Sequence, residues 1–317
     1  MENLIALQKN LKFVGIIAKT EAGILPIMEE ISKILRLGGI EILCEKTCAQ
    51  YFGKTGFSID EILSRTKVLI SLGGDGTLIG VARSVLKKGA YIIGVNAGTL
   101  GFLTDIKNSE FNAFWREFMA GKFRLDKLPV LSVSLERKNG EKLEISAFND
   151  MVITRSHISS MAKIDAFLDD THFNTYYGDG VIISSPAGST AYNMSANGAI
   201  IYPLCEVFAI TPICSHSLTQ RPLILPKRYK LGFKNSGNSE LCVVIDGQNF
   251  YNMDEFKSVE VKISKHKSQI IRASSYDYFA VLKEKLRWGH IQEFLYLIHH
   301  STKLKLTILY LILLRNL

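Results

Sequence analysis

Residues 71–80, SLGGDGTLIG, place glycines at positions 73, 74 and 76 around a single carboxylate, Asp75. Glycine has no side chain, so such a loop lets the backbone approach an anion closely. A helix that begins there also offers unpaired N–H groups and the positive end of its dipole to a phosphate. A loop that only held phosphate would avoid a further negative charge, so Asp75 is better explained as a proton acceptor or as an orienter of an attacking hydroxyl. Alternatively, Asp75 could cap a helix that starts near Thr77.

Two better-known nucleotide-binding loops are excluded by the spacing of the glycines. The dinucleotide motif G-x-G-x-x-G would need a third glycine after Gly74 and Gly76, at the position where Ile79 stands. The P-loop G-x-x-x-x-G-K-[ST] almost fits residues 48–55, but Cys48 occupies its first glycine position. The sequence therefore supports neither hydride transfer nor a Walker-type ATPase.

Further segments carry small or polar residues that could line a ligand. They are residues 96–104 (NAGTLGFLT), Asn149-Asp150, residues 179–201, residues 216–226 (HSLTQRPLILP) and Asp246-Gly247-Gln248. In the stretch 179–201, hydroxyls at positions 189, 190 and 195 and the ring of Tyr192 could face one ligand, because residues three apart share a helical face. Tyr192 could instead be an ordinary packing aromatic, and Asn149-Asp150 a plain Asx turn.

The composition narrows the class of partner and the compartment. The chain has 317 residues, 47% of them apolar, and a net charge of +8, which suits anionic partners without choosing among them. Lysines and arginines form no dense run interleaved with aromatics, so nucleic acid is disfavoured. Five scattered cysteines without a C-x-x-C pair argue against disulfides or zinc and favour a reducing compartment. Because the N-terminus also lacks the pattern of a secretion signal, we predict a cytoplasmic protein.

Residues 306–314, LTILYLILL, form a nearly continuous apolar run towards the end of the chain. Lys303 and Lys305 precede this run and interrupt any longer apolar stretch. A membrane-spanning helix needs about 20 consecutive apolar residues. The sequence therefore makes a membrane protein an unfavourable interpretation.

The chain has two parts with different patterns of apolar residues. From residue 12 to residue 125, short apolar runs alternate with helical patterns, which predicts a parallel α/β sheet with right-handed crossovers. After Pro129 the pattern is mainly that of strands, and Asn139-Gly140 predicts a hairpin turn. The predicted parts are an α/β domain over residues 1–128, a β-rich domain over 129–273, a helix over 274–288, and an apolar tail over 289–317.

In this order, the segments closely resemble those of the NAD kinase family. GGDGTLIG is similar to the first signature of that family, NAGTLGFL to the second, Asn149-Asp150 to the third and GSTAYNMSANGAII to the fourth. The resemblance covers residues 13–288 and implies a Rossmann-like, phosphofructokinase-like α/β domain followed by a mainly β domain. Phosphofructokinases and the diacylglycerol and sphingosine kinases carry similar GGD loops, so the whole series of motifs carries the resemblance.

The resemblance implies a role for each matched residue. Asp75 would be the catalytic base, and the phosphate loop around it would consist of Gly73, Gly74 and Thr77. Asn149 and Asp150 would contact the adenosine ribose of a bound dinucleotide. The other contacts with the dinucleotide would come from Gly76, Asp179, Ala187, Thr190, Ala191, Tyr192, Ser195 and Gln248. In many members, the residues equivalent to Asp179 and Gln248 reach the pocket from different parts of the β domain or from a neighbouring chain.

The implied reaction is transfer of a phosphoryl group from ATP, or from another phosphoryl donor, to the 2′-hydroxyl of the adenosine ribose of NAD, which gives NADP. The family pattern implies a divalent metal, Mg²⁺, carried with the triphosphate, and a homo-oligomer, either a dimer or a tetramer. No residue is assigned as a metal ligand. Two alternative functions stay open: a lipid or sugar kinase that shares the glycine loop, and a non-catalytic nucleotide sensor, which would have no need of the Asp75 base. A membrane-associated form anchored by the tail is also open, and it is compatible with kinase activity.

The chain departs from the family pattern at a few positions. Asp150 stands where many members have Glu, and Ala187 stands where Thr is common. Tyr177 occupies a position where a basic residue often precedes the Asp-Gly pair. Asn197 and Ala199 replace the usual Gly and Pro, which predicts a change in the local turn only.

Overall fold

Strands and helices alternate along the first part of the chain. The computed structural model describes residues 2–98, 101–157 and 160–287. In chain order the first elements are α1 (Glu2–Lys9), β1 (Phe13–Ala18), α2 (Ile24–Leu37), β2 (Glu41–Cys44), α3 (Lys46–Tyr51), α4 (Ile59–Arg65), β3 (Val68–Gly73), α5 (Asp75–Val85), β4 (Tyr91–Asn96), β5 (Ile106–Lys107) and α6 (Phe111–Met119). This alternation is the predicted α/β pattern.

The strands β2, β1, β3 and β4 lie side by side in that order, and each neighbouring pair is parallel. Every residue of β3 is buried, as expected for a strand covered on both faces. Apolar residues of α2 recur at helical spacing, so Ile24, Met28, Ile31 and Leu35 are all buried on one side of that helix. The predicted parallel α/β arrangement is therefore confirmed.

The rest of the chain is mainly β-structure. In chain order its elements are β6 (Phe123–Arg137), β7 (Lys142–Ala147), β8 (Asp150–Arg155), β9 (Ala162–Leu168), β10 (Thr171–Gly178), β11 (Gly180–Ser184), α7 (Tyr192–Ser195), β12 (Val207–Ile213), β13 (Leu223–Pro226), β14 (Leu231–Asn235), β15 (Leu241–Ile245), β16 (Asn249–Asn252), β17 (Phe256–Ala273) and α8 (Tyr278–Leu286). The Asn139-Gly140 hairpin is confirmed, since β6 and β7 pair antiparallel around Gly140, whose φ is +89°.

These later strands contribute to two different sheets. A six-stranded sheet has the order β13-β12-β11-β8-β15-β16 among the described residues, and all its neighbouring strands are antiparallel. The other strands extend the first sheet, because β17 pairs in parallel with β4 and antiparallel with β6 and β14. The predicted domain limit after residue 128 falls inside β6, and the domain limits themselves stay a prediction.

Separate hydrophobic clusters lie around the two sheets. One cluster joins the extension of the first sheet to the six-stranded sheet, with Val133, Ile164, Ile183 and Val243 among its fully buried members. A second packs α2 and α6 against β1, β3 and β4, and a third packs α4 and α5 against the same strands. Helices therefore cover both faces of the parallel strands. Because α5 follows β3 directly in the chain, it begins at the carboxyl end of that strand.

The helix α8 belongs to a second compact unit, which begins at Asp277. Asp277 caps this helix, since its side chain accepts a hydrogen bond of 2.9 Å from the Phe279 N–H. The predicted helix over 274–288 is thus observed from Tyr278 to Leu286, whereas the predicted tail over 289–317 lies outside the described residues. Within the described residues, no helix has the length and apolar character needed to cross a membrane.

Candidate active site

The glycine loop connects β3 to α5. A side chain at Gly73 would place its Cβ 2.4 Å from Thr77 Oγ1, so only glycine fits there. Gly74 and Gly76 are exposed, and a Cβ on either would meet no atom within 4 Å. The loop is therefore tight on its inner side and open on its outer side, where an anion can approach the helix N-terminus.

Asp75 is the first residue of α5, and its carboxylate does not cap this helix. Gly74 is the N-cap residue, and the side chain of Asp75 instead reaches the segment that follows β4. Its Oδ2 accepts a hydrogen bond of 2.8 Å from the Phe102 N–H, and its Oδ1 accepts bonds of 3.0 Å from the N–H groups of Leu103 and Thr104. Thr104 Oγ1 also donates to Oδ1, at 3.0 Å. The capping interpretation of Asp75 was therefore wrong.

The contact between Asp75 and residues 102–104 joins the first two sequence motifs. Gly101 is required beside it, because a Cβ at that position would lie 2.0 Å from Asp75 Oδ1. Behind the segment, the guanidinium of Arg272 donates a 2.6 Å hydrogen bond to the Leu103 carbonyl and pairs with Asp105. Burial raises the pKa of Asp105, and the nearby positive charge of Arg272 acts in the opposite direction and lowers it. Arg272, from the distant strand β17, thus braces the segment that holds Asp75.

Asn149 and Asp150 form a corner at the start of β8, and a buried carboxylate holds the backbone there. Asp246 Oδ2 accepts a hydrogen bond of 2.8 Å from the Phe148 N–H. Its Oδ1 accepts bonds of 2.7 and 3.1 Å from the N–H groups of Asn149 and Asp150. An Asx turn would need Asn149 Oδ1 to accept a local N–H, and among the described residues this oxygen accepts none, so the interpretation of Asn149-Asp150 as a plain Asx turn was wrong. Asn149 Oδ1 is buried without a hydrogen-bond partner among the described residues, which leaves an acceptor available to a ligand.

The carboxyl group of Asp150 is buried, with the residue only 5% exposed. Burial, together with the negative charge of Asp246, raises the pKa of Asp150 to about 7. Near neutral pH, both protonation states of this carboxyl group are therefore populated. It can donate a hydrogen bond in one state and only accept in the other.

The fourth motif packs directly against this corner. A Cβ at Gly188 would lie 2.1 Å from the Asn149 carbonyl oxygen, so the two backbones are in close contact. Ser185 Oγ donates to the Phe148 carbonyl at 2.6 Å and accepts from the Gly188 N–H at 3.1 Å. Ala187 is buried at the start of the 3₁₀ helix Ala187–Thr190. The structure thus brings the third and fourth motifs together.

The predicted pocket residues beyond Gly188 differ in exposure. Tyr192 is 47% exposed, so it is not an ordinary packing aromatic. Thr190 and Ala191 are half-buried, and Ser195 is exposed. Ser189 was expected to face a ligand, but it is fully buried and bonds to the backbone of Pro186 and Ile201.

Asn193 is a residue of this motif that sequence reasoning did not single out. Its side chain is fully buried, donates to the carbonyls of Ser189 and Ala199 at 3.1 Å, and accepts a 2.6 Å hydrogen bond from Thr211. These bonds fix the short helix that carries Tyr192. Asn197 has φ +61°, a left-handed conformation that asparagine tolerates, which explains how it can replace glycine in this turn.

Gln248 lies close to the Asn149-Asp150 corner, whereas Asp179 lies away from it. Gln248 Oε1 accepts a 3.0 Å hydrogen bond from Arg83 of α5, close to Asp246 and the Asn149-Asp150 corner. Asp179 pairs instead with Arg155, with 2.9 Å between Oδ1 and Nη2. Its neighbour Gly180 pairs with Thr154 at the far end of β8, whereas Ser184 pairs with Asp150. Asp179 is five residues from Ser184, so at about 3.3 Å per residue it lies roughly 17 Å along the strands from Asp150.

Two family models match most of the chain. The model described as ATP-NAD kinase N-terminal domain matches residues 14–123, and the ATP-NAD kinase C-terminal domain matches residues 148–273. An NAD kinase of Campylobacter jejuni (serotype O:23/36, strain 81-176) is 42% identical over 283 residues, which are 89% of this chain and 98% of that protein. An NAD kinase of Sulfurimonas denitrificans is 40% identical over 282 residues, 89% of this chain and 99% of its own.

Solved structures show the same architecture. Yeast NADH kinase complexed with NADH gives a TM-score of 0.80 at 23% identity, over 88% of each chain. An NAD kinase from Archaeoglobus fulgidus in complex with ATP gives 0.70 at 21% identity, over 87% of this chain and 98% of the other. Fold and site together define a two-part phosphotransferase, with an α/β part that presents a glycine loop and a mainly β part beside it. The sequence matches then specify the family: this chain belongs to the NAD kinases.

Proposed function

We propose that this chain phosphorylates NAD, transferring a phosphoryl group from ATP to the 2′-hydroxyl of the adenosine ribose to give NADP. The curated relatives are NAD kinases, and they match this chain over nearly their whole length. The solved neighbours bind NADH in one case and ATP in the other. These findings support a dinucleotide as the acceptor and a nucleoside triphosphate as the donor.

The arrangement of the Asp75 carboxylate is the observation that carries the proposal. Among the described residues, its Oδ1 accepts three hydrogen bonds, whereas its Oδ2 accepts only that of the Phe102 N–H. A carboxylate has about four lone-pair sites, two on each oxygen, so Oδ2 keeps one for a substrate hydroxyl. A hydroxyl bound there would be oriented for attack and could give up its proton late in the reaction.

The loop before α5 supplies the phosphate-binding part of the proposal. Gly73, Gly74, Gly76 and Thr77 surround the N-terminus of α5, where helix N–H groups and the helix dipole favour anions. ATP enters with Mg²⁺, which neutralises phosphate charge as part of the substrate. Phosphoryl transfer needs little covalent help, so the protein acts mainly by positioning the substrates and stabilising charge.

The rest of the site would hold the dinucleotide. Asn149 offers its unpartnered Oδ1 to a ribose hydroxyl, and Asp150 next to it can donate or accept according to its protonation state. The exposed ring of Tyr192 provides a surface on which an adenine can stack. The other residues beside the dinucleotide would be Ala187, Thr190, Ala191 and Ser195. Gln248 would contact it from the β15–β16 turn.

The position of Asp179 supports a homo-oligomer, either a dimer or a tetramer. Within one chain Asp179 lies at the far end of β8 from Asp150, so it would serve the pocket of a neighbouring subunit. Sedimentation equilibrium of the purified protein tests this directly. A protein that is monomeric at all concentrations would show that Asp179 does not contribute to the site.

The cytoplasmic location stays a prediction from the sequence.

A direct substrate assay tests the proposed reaction. Purified protein is incubated with ATP, Mg²⁺ and NAD, and NADP is measured with an NADP-specific dehydrogenase. Parallel reactions replace NAD with diacylglycerol, sphingosine or a sugar, which are the acceptors of enzymes with similar glycine loops. We expect NADP and no other phosphorylated product. Phosphorylation of a lipid or sugar without NADP formation would contradict the proposal, and binding of NAD without any turnover would favour a sensor.

A further inference from the structure

Arg83 lies on α5, two turns after Asp75, and its guanidinium joins segments that are distant in sequence. Nη1 donates to Gln248 Oε1 at 3.0 Å, and Nη2 donates to Asn249 Oδ1 at 2.6 Å. Nε donates to the Ser146 carbonyl at 3.1 Å and lies 3.3 Å from Asp246 Oδ2. Its side chain is only 17% exposed, so these contacts are largely shielded from water. One side chain therefore ties α5 to the β7 end and to the β15–β16 turn.

Through its contact with Asp246, Arg83 is linked indirectly to the Asn149-Asp150 corner. The Asp246 side chain is 1% exposed and accepts the N–H groups of residues 148, 149 and 150. A carboxylate buried to this extent needs a counter-charge, and Arg83 is the cation paired with it. Arg83 thus stabilises the charge that fixes the direction of the backbone at Asn149 and Asp150.

The contact with Gln248 determines how that side chain is oriented. A guanidinium has donors and no acceptor, so Gln248 must present its amide oxygen to Arg83. The amide NH₂ then points away from Arg83 and is the group that Gln248 can offer to a ligand. Gln248 itself is exposed, which leaves this donor accessible.

We propose that Arg83 is a positioning residue of the NAD site. It sets the Gln248 amide and, through Asp246, the Asn149-Asp150 corner relative to the helix that begins at Asp75. Arg83 does not touch the substrate. This inference rests on the proposed function, because it assumes that Asn149, Asp150 and Gln248 contact NAD.

The test compares Arg83→Gln with Arg137→Gln. Arg137 is the matched control, because it also joins two segments, through a 3.0 Å bond to Glu255 and a 3.5 Å ion pair with Glu141, and neither partner is a predicted site residue. Steady-state kinetics with NAD and with ATP and thermal unfolding are measured for both variants. Wild-type protein that makes no NADP would overturn the proposed function itself, separately from the role of Arg83.

We expect Arg83→Gln to raise the KM for NAD by about tenfold or more, the scale for losing a hydrogen bond to a charged group. The KM for ATP should change by less than about twofold, since none of the Arg83 partners lies in the phosphate loop. Arg137→Gln should lower Tm and leave both constants unchanged. If Arg83→Gln lowers Tm in the same way without changing the KM for NAD, the residue is merely structural and the inference is wrong.

Arg83→Lys keeps the test decisive if the glutamine variant does not fold. A lysine keeps a positive charge for Asp246, but a single ammonium cannot reach Gln248, Asn249 and Ser146 together. We therefore expect a Tm near that of the wild type and a KM for NAD between those of the wild type and a Gln248→Ala variant. A wild-type KM for NAD in Arg83→Lys would contradict the positioning role.

Discussion

Two aspartates of this protein, Asp75 and Asp246, bind the backbone in nearly the same way. Each precedes a glycine, and each accepts the N–H groups of three successive residues, 102–104 for Asp75 and 148–150 for Asp246. They differ in burial, because Asp75 is half-buried at the start of a helix, whereas the Asp246 side chain is 1% exposed and paired with Arg83. The same local sequence therefore serves two different purposes.

The distribution of hydrogen bonds explains this difference. Asp246 accepts two backbone bonds on Oδ1, and its Oδ2 meets the Phe148 N–H and the Arg83 guanidinium, so both oxygens are fully used. From the part of the chain that the structure describes, Asp75 accepts three bonds on Oδ1 and one on Oδ2, which leaves acceptor capacity on Oδ2. A carboxylate with spare capacity beside an open glycine loop can act on a substrate, whereas a saturated and buried one can only hold structure.

Asp75→Asn tests the first half of this comparison and has the largest expected effect. The substitution keeps the shape of the side chain but removes its ability to accept a proton, so kcat should fall by about 10²–10⁴-fold. The free energy of unfolding should fall by only about 1 kcal/mol, since an asparagine oxygen still accepts part of the hydrogen bonds. Steady-state kinetics and urea denaturation measure the two effects. Near-normal turnover in this variant would remove Asp75 from the chemistry.

Asp246→Asn tests the second half, and stability is the quantity expected to change. This variant leaves the guanidinium of Arg83 without its buried counter-charge, which costs about 3 kcal/mol of unfolding free energy. Urea denaturation measures the loss, and the KM for NAD should rise because the Asn149-Asp150 corner is no longer held. An Asp246→Asn variant as stable as the wild type would show that the buried pair with Arg83 does not stabilise the fold.

Asp150→Asn sharpens the comparison through the pH dependence of stability. The pKa of Asp150 in the folded protein is raised from its ordinary value of 3.8 to about 7, so the folded state binds this proton more tightly than the unfolded chain. The resulting stabilisation is complete below about pH 4 and is lost as the pH rises towards 7. An asparagine has no such dependence.

Unfolding free energies of Asp150→Asn and the wild type, compared across this pH range, measure the effect. We expect the variant to gain stability relative to the wild type as the pH rises, by a few kcal/mol at most. Parallel pH profiles of the two proteins would show that burial and the charge of Asp246 do not act on Asp150 as the structure indicates.

Tyr192→Ala has the smallest expected effect and concerns the proposed adenine-binding surface. Loss of an exposed ring that stacks on adenine should weaken NAD binding by about 1–3 kcal/mol, the range for bases stacked on aromatic side chains. Tyr51→Ala is a matched control, because Tyr51 is 51% exposed and Tyr192 is 47% exposed. Isothermal titration with NAD should separate them. Equal affinities of the two variants for NAD would show that the dinucleotide does not stack on Tyr192.

The sequence predicts local features of this protein well and long-range pairings poorly. The glycine loop after β3 and the alternation of strands and helices follow from short patterns, and both are present. The partner of a strand is not written in its own residues, so β17 could not be assigned to the first sheet, where it lies beside β4. Likewise, Asn193 of α7 carries no local signal of its burial, since the bonds that hold it include one from Thr211 of β12.

The same limit applies within the site. Asp75 could be singled out because a carboxylate inside a glycine loop is unusual by itself. Asp246 and Arg83 become informative only when the fold brings residues 83, 148–150 and 246 together, and no spacing in the sequence relates these positions. Gln248 was named through resemblance to a family, whereas its hydrogen bond to Arg83 is visible only in the structure.

The most direct test of the central claim, that Asp75 acts on the substrate hydroxyl, is a single-turnover measurement on Asp75→Asn. Excess enzyme is mixed with NAD, saturating ATP and Mg²⁺, and the rate of NADP formation is followed in the first turnover, together with the Kd for NAD. We predict that the rate falls as much as kcat, by about 10²–10⁴-fold, while the Kd changes little. A first-turnover rate equal to that of the wild type, with a weakened Kd, would show that Asp75 binds NAD without taking part in phosphoryl transfer.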